Sequence, residues 1–284
     1  MQQTEVLKRM MDNYAHMSPS QQRIADVILK DPETSAFFNV AELARAADVS
    51  DSTVTRFATF LGYTGFPALS QQLQAIVRMR LTTKERLERS QSVQSRDEES
   101  IFFSSLEDDL QNLKLMMEQL DALQVGRSAA LLQGAEKIGI VCSRSSVSLG
   151  LFFEFYLNFF GKQSIMLTGE PRTIDLMSRF SPSDVIVGIG FSRYSKFAVN
   201  SLRYFQNAGV PVIAITDYPS SPLAQYAAHT LFCPTGIASH MDSFVAPLAL
   251  IQALLRGMSK TMSTEDMKSL ENIWRDFDVY FKTE

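Results

Sequence analysis

At 284 residues the chain is about twice the usual size of a single domain, so two domains are expected. With 45% hydrophobic and 20% charged residues, the composition excludes a disordered tail protein and a collagen-like repeat. The net charge of −4 averages residues 1–90, with 11 basic and 10 acidic side chains, and the remainder, with 16 and 21, so nucleic-acid binding requires a local surface.

Short helices are predicted first. Ser18-Pro19-Ser20 opens one with Ile24, Val27 and Ile28 inward, and Asp31-Pro32 closes it. Val40 to Ala47 carries Val40, Leu43, Ala44 and Ala47 on one face. Asp48-Val49-Ser50 interrupts the pattern, and Asp51 to Leu61 resumes it with Val54, Phe57, Ala58 and Leu61. The arrangement reads as helix, tight turn, helix. Ala44 is the small residue that lets the helices approach, Asp48 stands at a turn position where positive φ usually selects glycine, and Ser50 is placed to cap the second helix through the amides of Ser52 or Thr53. Gly62 reads as the residue just past that helix, and a longer helix is expected from Pro67 toward Arg89.

Residues 88–100, ERSQSVQSRDEES, are almost purely polar and are expected to be a linker between a domain at 1–87 and a second at 101–284. Ile101 to Leu123 is amphipathic, with Leu106, Leu110, Leu113, Met117 and Leu120 at three- and four-residue steps, which predicts a helix packed on the following domain or forming a dimer seam. From Ile138 the period changes. Ile138–Val141, Ser164–Leu167, Asp184–Ile189 and Val210–Ile215 are apolar runs separated by helix-length segments, with Leu231-Phe232 as a short fifth strand and Val245 to Leu255 as a final helix. An all-α domain followed by an α/β domain, a parallel sheet flanked by helices, is therefore expected, with its ligand crevice beyond the carboxyl ends of the strands.

Cys142 and Cys233 are far apart and outside any Cys/His cluster, so no disulfide framework or metal site is expected, and a reducing cytoplasm fits. The start lacks an apolar core of secretory length, and the longest apolar run, around Leu149 to Phe160, is broken by Glu154, so no membrane span is expected. No cofactor signature is present; the Phe-rich stretch reads as core or subunit contact.

On the second helix of the pair, Asp51, Ser52, Thr53, Thr55, Arg56 and Thr59 face outward. Hydroxyls and arginine bond phosphates and base edges in the major groove, and residues near the helix N-terminus reach the bases first. Ser50, Ser52, Thr53, Thr55, Arg56 and Thr59 are the candidate DNA contacts. A solvated face of an ordinary helical hairpin is the alternative. Asp51 would repel phosphate and fits a helix N-terminal charge.

Leu43-Ala44, Val49-Ser50, Thr53-Val54, Arg56-Phe57, Leu61-Gly62, Gly65-Phe66 and Leu69 together resemble the N-terminal domain of the RpiR-type transcriptional regulators. The resemblance implies a C-terminal sugar isomerase (SIS) domain that senses phosphosugars, double-stranded operator DNA as partner, and a homodimer or homotetramer.

Two strand ends carry the candidate ligand residues: Ser143, Arg144, Ser145 and Ser146 after the first strand, and Ser192, Arg193, Tyr194, Ser195 and Lys196 after the third. Hydroxyls, backbone amides and a helix N-terminus make an anion site without metal; the alternative is that the serines only cap helices. Against the SIS family's "GxGxS" and "SxSGxT" loops, Arg144 stands among serines, and Gly190, Ser192, Arg193 and Ser195 take the second pattern's S, S, G and T positions. Arginine removes a close backbone approach and adds a bidentate charge. A phosphorylated sugar is the first expectation, a sugar acid the second, and a crevice filled by Arg193 and Tyr194 the third. Thr216-Asp217 ends the fourth strand and is a further lining candidate. An isomerase is the competing function, with Glu154 or His240 as its base; no catalytic residue is assigned, since a helix-turn-helix module serves no catalysis.

Overall fold

The computed structural model describes residues 5–80, 84–85, 87–88, 98–219, 221–236, 241–259 and 264–277. It divides into two compact units, Met1–Gln119 with Cys233–Ala246, and Leu120–Phe232 with Pro247–Glu284.

The first unit begins with α1 (Glu5–Asn13), α2 (Pro19–Lys30), α3 (Pro32–Ser35), α4 (Val40–Ala46), α5 (Asp51–Phe60) and α6 (Phe66–Arg80). Helix starts follow local chemistry. Ser18 and Gln21 cap α2 reciprocally, and Asn39 and Glu42 do the same for α4, so donors left over at each first turn find acceptors. The apolar faces close on one core containing Ile24, Ile28, Leu43, Val54, Phe57 and Leu69, all fully buried. The longer helix expected from Pro67 is followed as far as Arg80; residues 81–83, 86 and 89–97, including most of the expected linker, lie outside the described residues.

Helix α7 (Glu98–Gln119) belongs to the first unit rather than with the sheet. The Asn112 amide donates to the Gly236 carbonyl at 2.8 Å, and the Ser243 hydroxyl donates to Asp109. The single amphipathic helix expected over 101–123 ends at Gln119, because the Asp121 carboxylate accepts from the Leu123 amide at 2.8 Å and starts α8 (Ala122–Gly134). Its buried face also differs from the one read from spacing. Asn112, Leu115 and Met116 are buried, whereas Leu106, Leu110 and Met117 are 59%, 56% and 75% exposed.

The second unit holds β1 (Lys137–Val141), α9 (Val147–Phe159), β2 (Gln163–Leu167), α10 (Pro171–Leu176), β3 (Val185–Ile189), α11 (Lys196–Asn207), β4 (Val212–Thr216), β5 (His229–Phe232), α12 (Val245–Ser259) and α13 (Thr264–Asp276), with α12 crossing the boundary between units. The strands form one parallel sheet in the order β2-β1-β3-β4-β5. Strands β3 and β4 are buried at every position, which is why they read as unbroken apolar runs. Gly188 lets α11 close on β3: a Cβ there would lie 2.6 Å from Leu202 Cδ2. The chain leaves β1 toward β2 on one side and toward β3 on the other, so the switch point lies between β1 and β3. On α9, Phe153 and Leu157 enter the core while Leu151 and Phe155 are exposed, and Trp274 stacks on Phe159 at 5.6 Å.

The base of the sheet is fastened by buried Asp184. One carboxylate oxygen accepts from the Lys137 amide at 3.0 Å; the other accepts from the Ser181 amide at 2.7 Å and lies 3.3 Å from Lys137 Nζ. Burial pushes this carboxyl up, but the bonds from Ser181 and Lys137 outweigh it and hold it below its ordinary value. A carboxylate with a depressed folded pKa adds stability above the ordinary range near about 4 and loses it as pH falls through the folded value. Asp184→Asn is therefore expected to lower the melting temperature at neutral pH and to flatten its fall below about pH 4, read by thermal melts across pH.

Candidate functional site

The helix-turn-helix is built from α4, α5 and the turn between them. Ala44 is buried, as a close helix approach requires. The turn closes with the Val49 amide donating to the Ala44 carbonyl at 2.9 Å, and Asp48 has φ 52°. Gly62, after α5, repeats the geometry with φ 88° and the Tyr63 amide on the Ala58 carbonyl at 3.0 Å. Arg23 of α2, which nothing in the local pattern marks, holds the Asp48 turn: its Nε donates to the Ala47 carbonyl and its Nη2 to the Asp48 carbonyl, both at 3.1 Å. Asp48→Gly removes a left-handed penalty of about 1–2 kcal/mol for a side chain and adds unfolded-chain freedom of about 0.5–1 kcal/mol. A net gain of up to about 1.5 kcal/mol is expected, seen as a higher melting temperature of the helical unit.

Of the candidate DNA contacts, Ser50, Ser52, Thr55, Arg56 and Thr59 are exposed and Thr53 is half-buried. Ser50 occupies the cap position, but its hydroxyl bonds no amide. It lies 3.0 Å from Ser52 Oγ and 2.8 Å from Thr53 Oγ1 instead, because the neighbouring hydroxyls offer partners nearer at hand. Arg56 joins the cluster through Nη2 to Ser52 Oγ at 3.1 Å and Nε to the Ser52 carbonyl at 3.2 Å. Ser50, Ser52, Thr53 and Arg56 thus form one polar patch over the first turns of α5. Thr55 and Thr59 turn their hydroxyls back onto the carbonyls of Asp51 and Thr55.

In the second unit, the loops after β1 and β3 stand at the two strands that flank the switch point. Ser143, Ser146 and Ser195 occupy positions just before helical turns, and none makes a side-chain capping bond, so capping does not account for them. Arg144 and Lys196 are exposed, as is Arg193; Ser145 is exposed and its carbonyl accepts from the Ser148 hydroxyl at 2.8 Å. Arg144 has φ 57° and Arg193 φ 70°, so both keep a left-handed backbone at which glycine is ordinarily favoured.

The β3 loop is tied to the end of β4. Buried Asp217 accepts from the Ser192 amide at 2.8 Å and the Ser192 hydroxyl at 2.7 Å on one oxygen, and from the Tyr194 hydroxyl at 2.5 Å on the other. Thr216 donates to the Gly190 carbonyl at 2.7 Å. Burial raises the Asp217 carboxyl above its ordinary range, against the pull of Tyr194 and Ser192; burial, then the charge of Asp217, raises the Tyr194 phenol. Cys142, at the end of β1, is pushed up to about 12 by burial, with Glu154 adding to it, and is an inert thiol.

Glu154, the candidate base of an isomerase, is half-buried on α9 and accepts a hydrogen bond from the Met166 amide of edge strand β2; burial raises its carboxyl. His240 lies outside the described residues. An open groove at the amino ends of the strands, lined by Arg127, Glu136, Ser183, Asp184 and His229, contains none of the expected ligand residues. Among the described residues no group of acidic, His and Cys side chains is arranged to hold a metal, and no helix is long and apolar enough to cross a membrane.

Residues 4–77 match the family model of the rpiR-family helix-turn-helix domain, and residues 131–256 match that of the SIS domain. An uncharacterized HTH-type transcriptional regulator of Caldanaerobacter subterraneus is 26% identical over 279 residues, 95% of each chain. The HTH-type transcriptional regulator HexR of Escherichia coli is 27% identical over 278 residues, 94% of this chain and 92% of its own. Among solved structures, the Vibrio vulnificus NanR protein complexed with ManNAc-6P matches 98% of this chain and 100% of its own, with a TM-score of 0.58 and 20% identity, a likeness of fold.

Proposed function

We propose, because the chain belongs to the RpiR family of transcriptional regulators, with a helix-turn-helix domain and a SIS domain, that it binds operator DNA through α5 and answers to an anionic sugar metabolite in the SIS crevice. Sugar-phosphate-responsive control of carbohydrate catabolism genes is the reading these features favour, and NanR, of the same fold, is complexed with ManNAc-6P. The observation that carries the ligand half is the pair of arginines, Arg144 and Arg193, held at positive φ on the two loops flanking the switch point. Ser143, Ser145 and Ser146 on the first loop, with Ser195 and Lys196 on the second, complete the ligand set. Phosphate and carboxylate both suit a guanidinium fork.

Function as a dimer or tetramer is part of this reading. The exposed stripe Phe103, Leu106, Leu110 and Met117 on α7 favours a second copy as a partner, and a dimer presents two recognition helices to a pseudo-palindrome with half-sites about 34 Å apart. A ligand changes operator affinity only by favouring one arrangement of those helices, by about 1–3 kcal/mol of coupling. The test is a thermal-shift screen of sugar phosphates and sugar acids. A binder is expected to raise the melting temperature and alter operator affinity, and Arg144→Ala is expected to remove both effects; no shift from any of them overturns the sensor reading.

A further inference from the structure

Part of the donor set of the β3 loop is already engaged by the protein itself. Ser192 offers an amide and a hydroxyl and Tyr194 a second hydroxyl, three donors of the kind that cradle phosphate or carboxylate. All three converge on the two oxygens of Asp217, which is 4% exposed. Two further positions of the loop are altered in the same direction, while Ser195 keeps its hydroxyl. Gly190 brings no hydroxyl, and a side chain there is opposed by Leu223, whose Cδ2 lies 2.9 Å from where a Cβ would sit. Arg193 places a side chain where the left-handed backbone would otherwise leave an amide open to close approach. Thr216, bonded to both the Gly190 carbonyl and Ser221 Oγ at 2.7 Å, locks the loop against the end of β4.

We propose that Asp217 is the built-in anion of the β3 loop, so that the acidic group of an effector is barred from Ser192 and Tyr194 by an internal carboxylate and is left to the β1 loop with Arg193, Ser195 and Lys196. A ligand whose acidic group is met by charged side chains fits this arrangement; one that needs the Ser192 amide and hydroxyl as a cradle does not. The assignment of the effector to the remaining groups rests on the sensor reading above, whereas the occupation of Ser192 by Asp217 stands without it.

Inorganic phosphate is the probe, titrated calorimetrically into the full-length protein. Asp217→Ala, folded by circular dichroism, is expected to bind phosphate at least tenfold more tightly than wild type, and adding Ser192→Ala is expected to reverse the gain. Equal affinity in wild type and Asp217→Ala overturns the proposal. Should Asp217→Ala fail to fold, the Ser192 amide resonance of the wild-type protein decides: unmoved by phosphate it supports the proposal, and displaced at saturation it overturns it. Failure of the sensor reading is separate. Phosphate affinity that Arg144→Ala leaves unchanged counts against the β1 side, while a gain in Asp217→Ala still assigns Asp217 its role.

Discussion

Arg56→Ala is expected to abolish operator-specific DNA binding while leaving the protein folded and its oligomer intact. Arg56 is exposed on α5 and bonds Ser52 within the same helix, so its loss opens no cavity and orphans no buried group. On DNA an arginine fork on a base edge is worth about 1–3 kcal/mol of discrimination, and a dimer uses it once in each half-site, so about 2–6 kcal/mol of specificity is at stake. A net charge of −4 leaves little general attraction to compensate. Gel shifts at fixed salt, operator against scrambled duplex, read the ratio directly. Arg56→Lys is expected to keep most non-specific binding and lose discrimination, because an ammonium keeps charge without the fork. Sequence-specific binding by Arg56→Ala at the wild-type level sinks the assignment of α5.

How much of this was legible in the sequence depends on the distance over which each feature is determined. Helix starts at Ser18 and Asn39 are set within three residues by capping boxes, and the turn at Asp48 and the stop at Gly62 by positive φ, so local chemistry suffices. Parallel strands are legible because burial on both faces leaves no alternation to misread. The buried side of α7 was not: an apolar stripe tells which residues prefer shelter, and Leu106 and Leu110 lie outside while Asn112, with the Gly236 carbonyl as partner, lies inside. Arg23 and Asp217 belong to the same class. Each acts on a loop about 25 residues away in the chain, Arg23 on the carbonyls of the recognition turn and Asp217 on Ser192, and no periodicity announces such a bond. The serines and arginines of the two crevice loops were visible as types; which hydroxyls were already engaged required the fold.

Phe57→Ala is expected to remove DNA binding by a different route from its neighbour. Phe57, next to exposed Arg56 on α5, is fully buried in the core with Ile24, Leu43 and Val54. Truncating a buried phenylalanine costs about 3–5 kcal/mol, a large share of the stability of a small helical unit. At about 4–8 °C per kcal/mol for a unit of this size, its melting temperature falls by more than about 10 °C. The two losses separate by titration. In Phe57→Ala the competent fraction is reduced, so apparent affinity falls for operator and scrambled duplex alike, and excess operator draws the unit back to the folded state. Specificity ratio and salt slope stay at wild-type values, because the folded molecules still present Ser52, Thr53 and Arg56. In Arg56→Ala every molecule is folded and excess operator restores nothing, so the ratio itself falls. A Phe57→Ala protein that melts like wild type contradicts the packing of α5, and one that refolds on operator yet has lost discrimination contradicts the division of that helix into a buried face and a reading face.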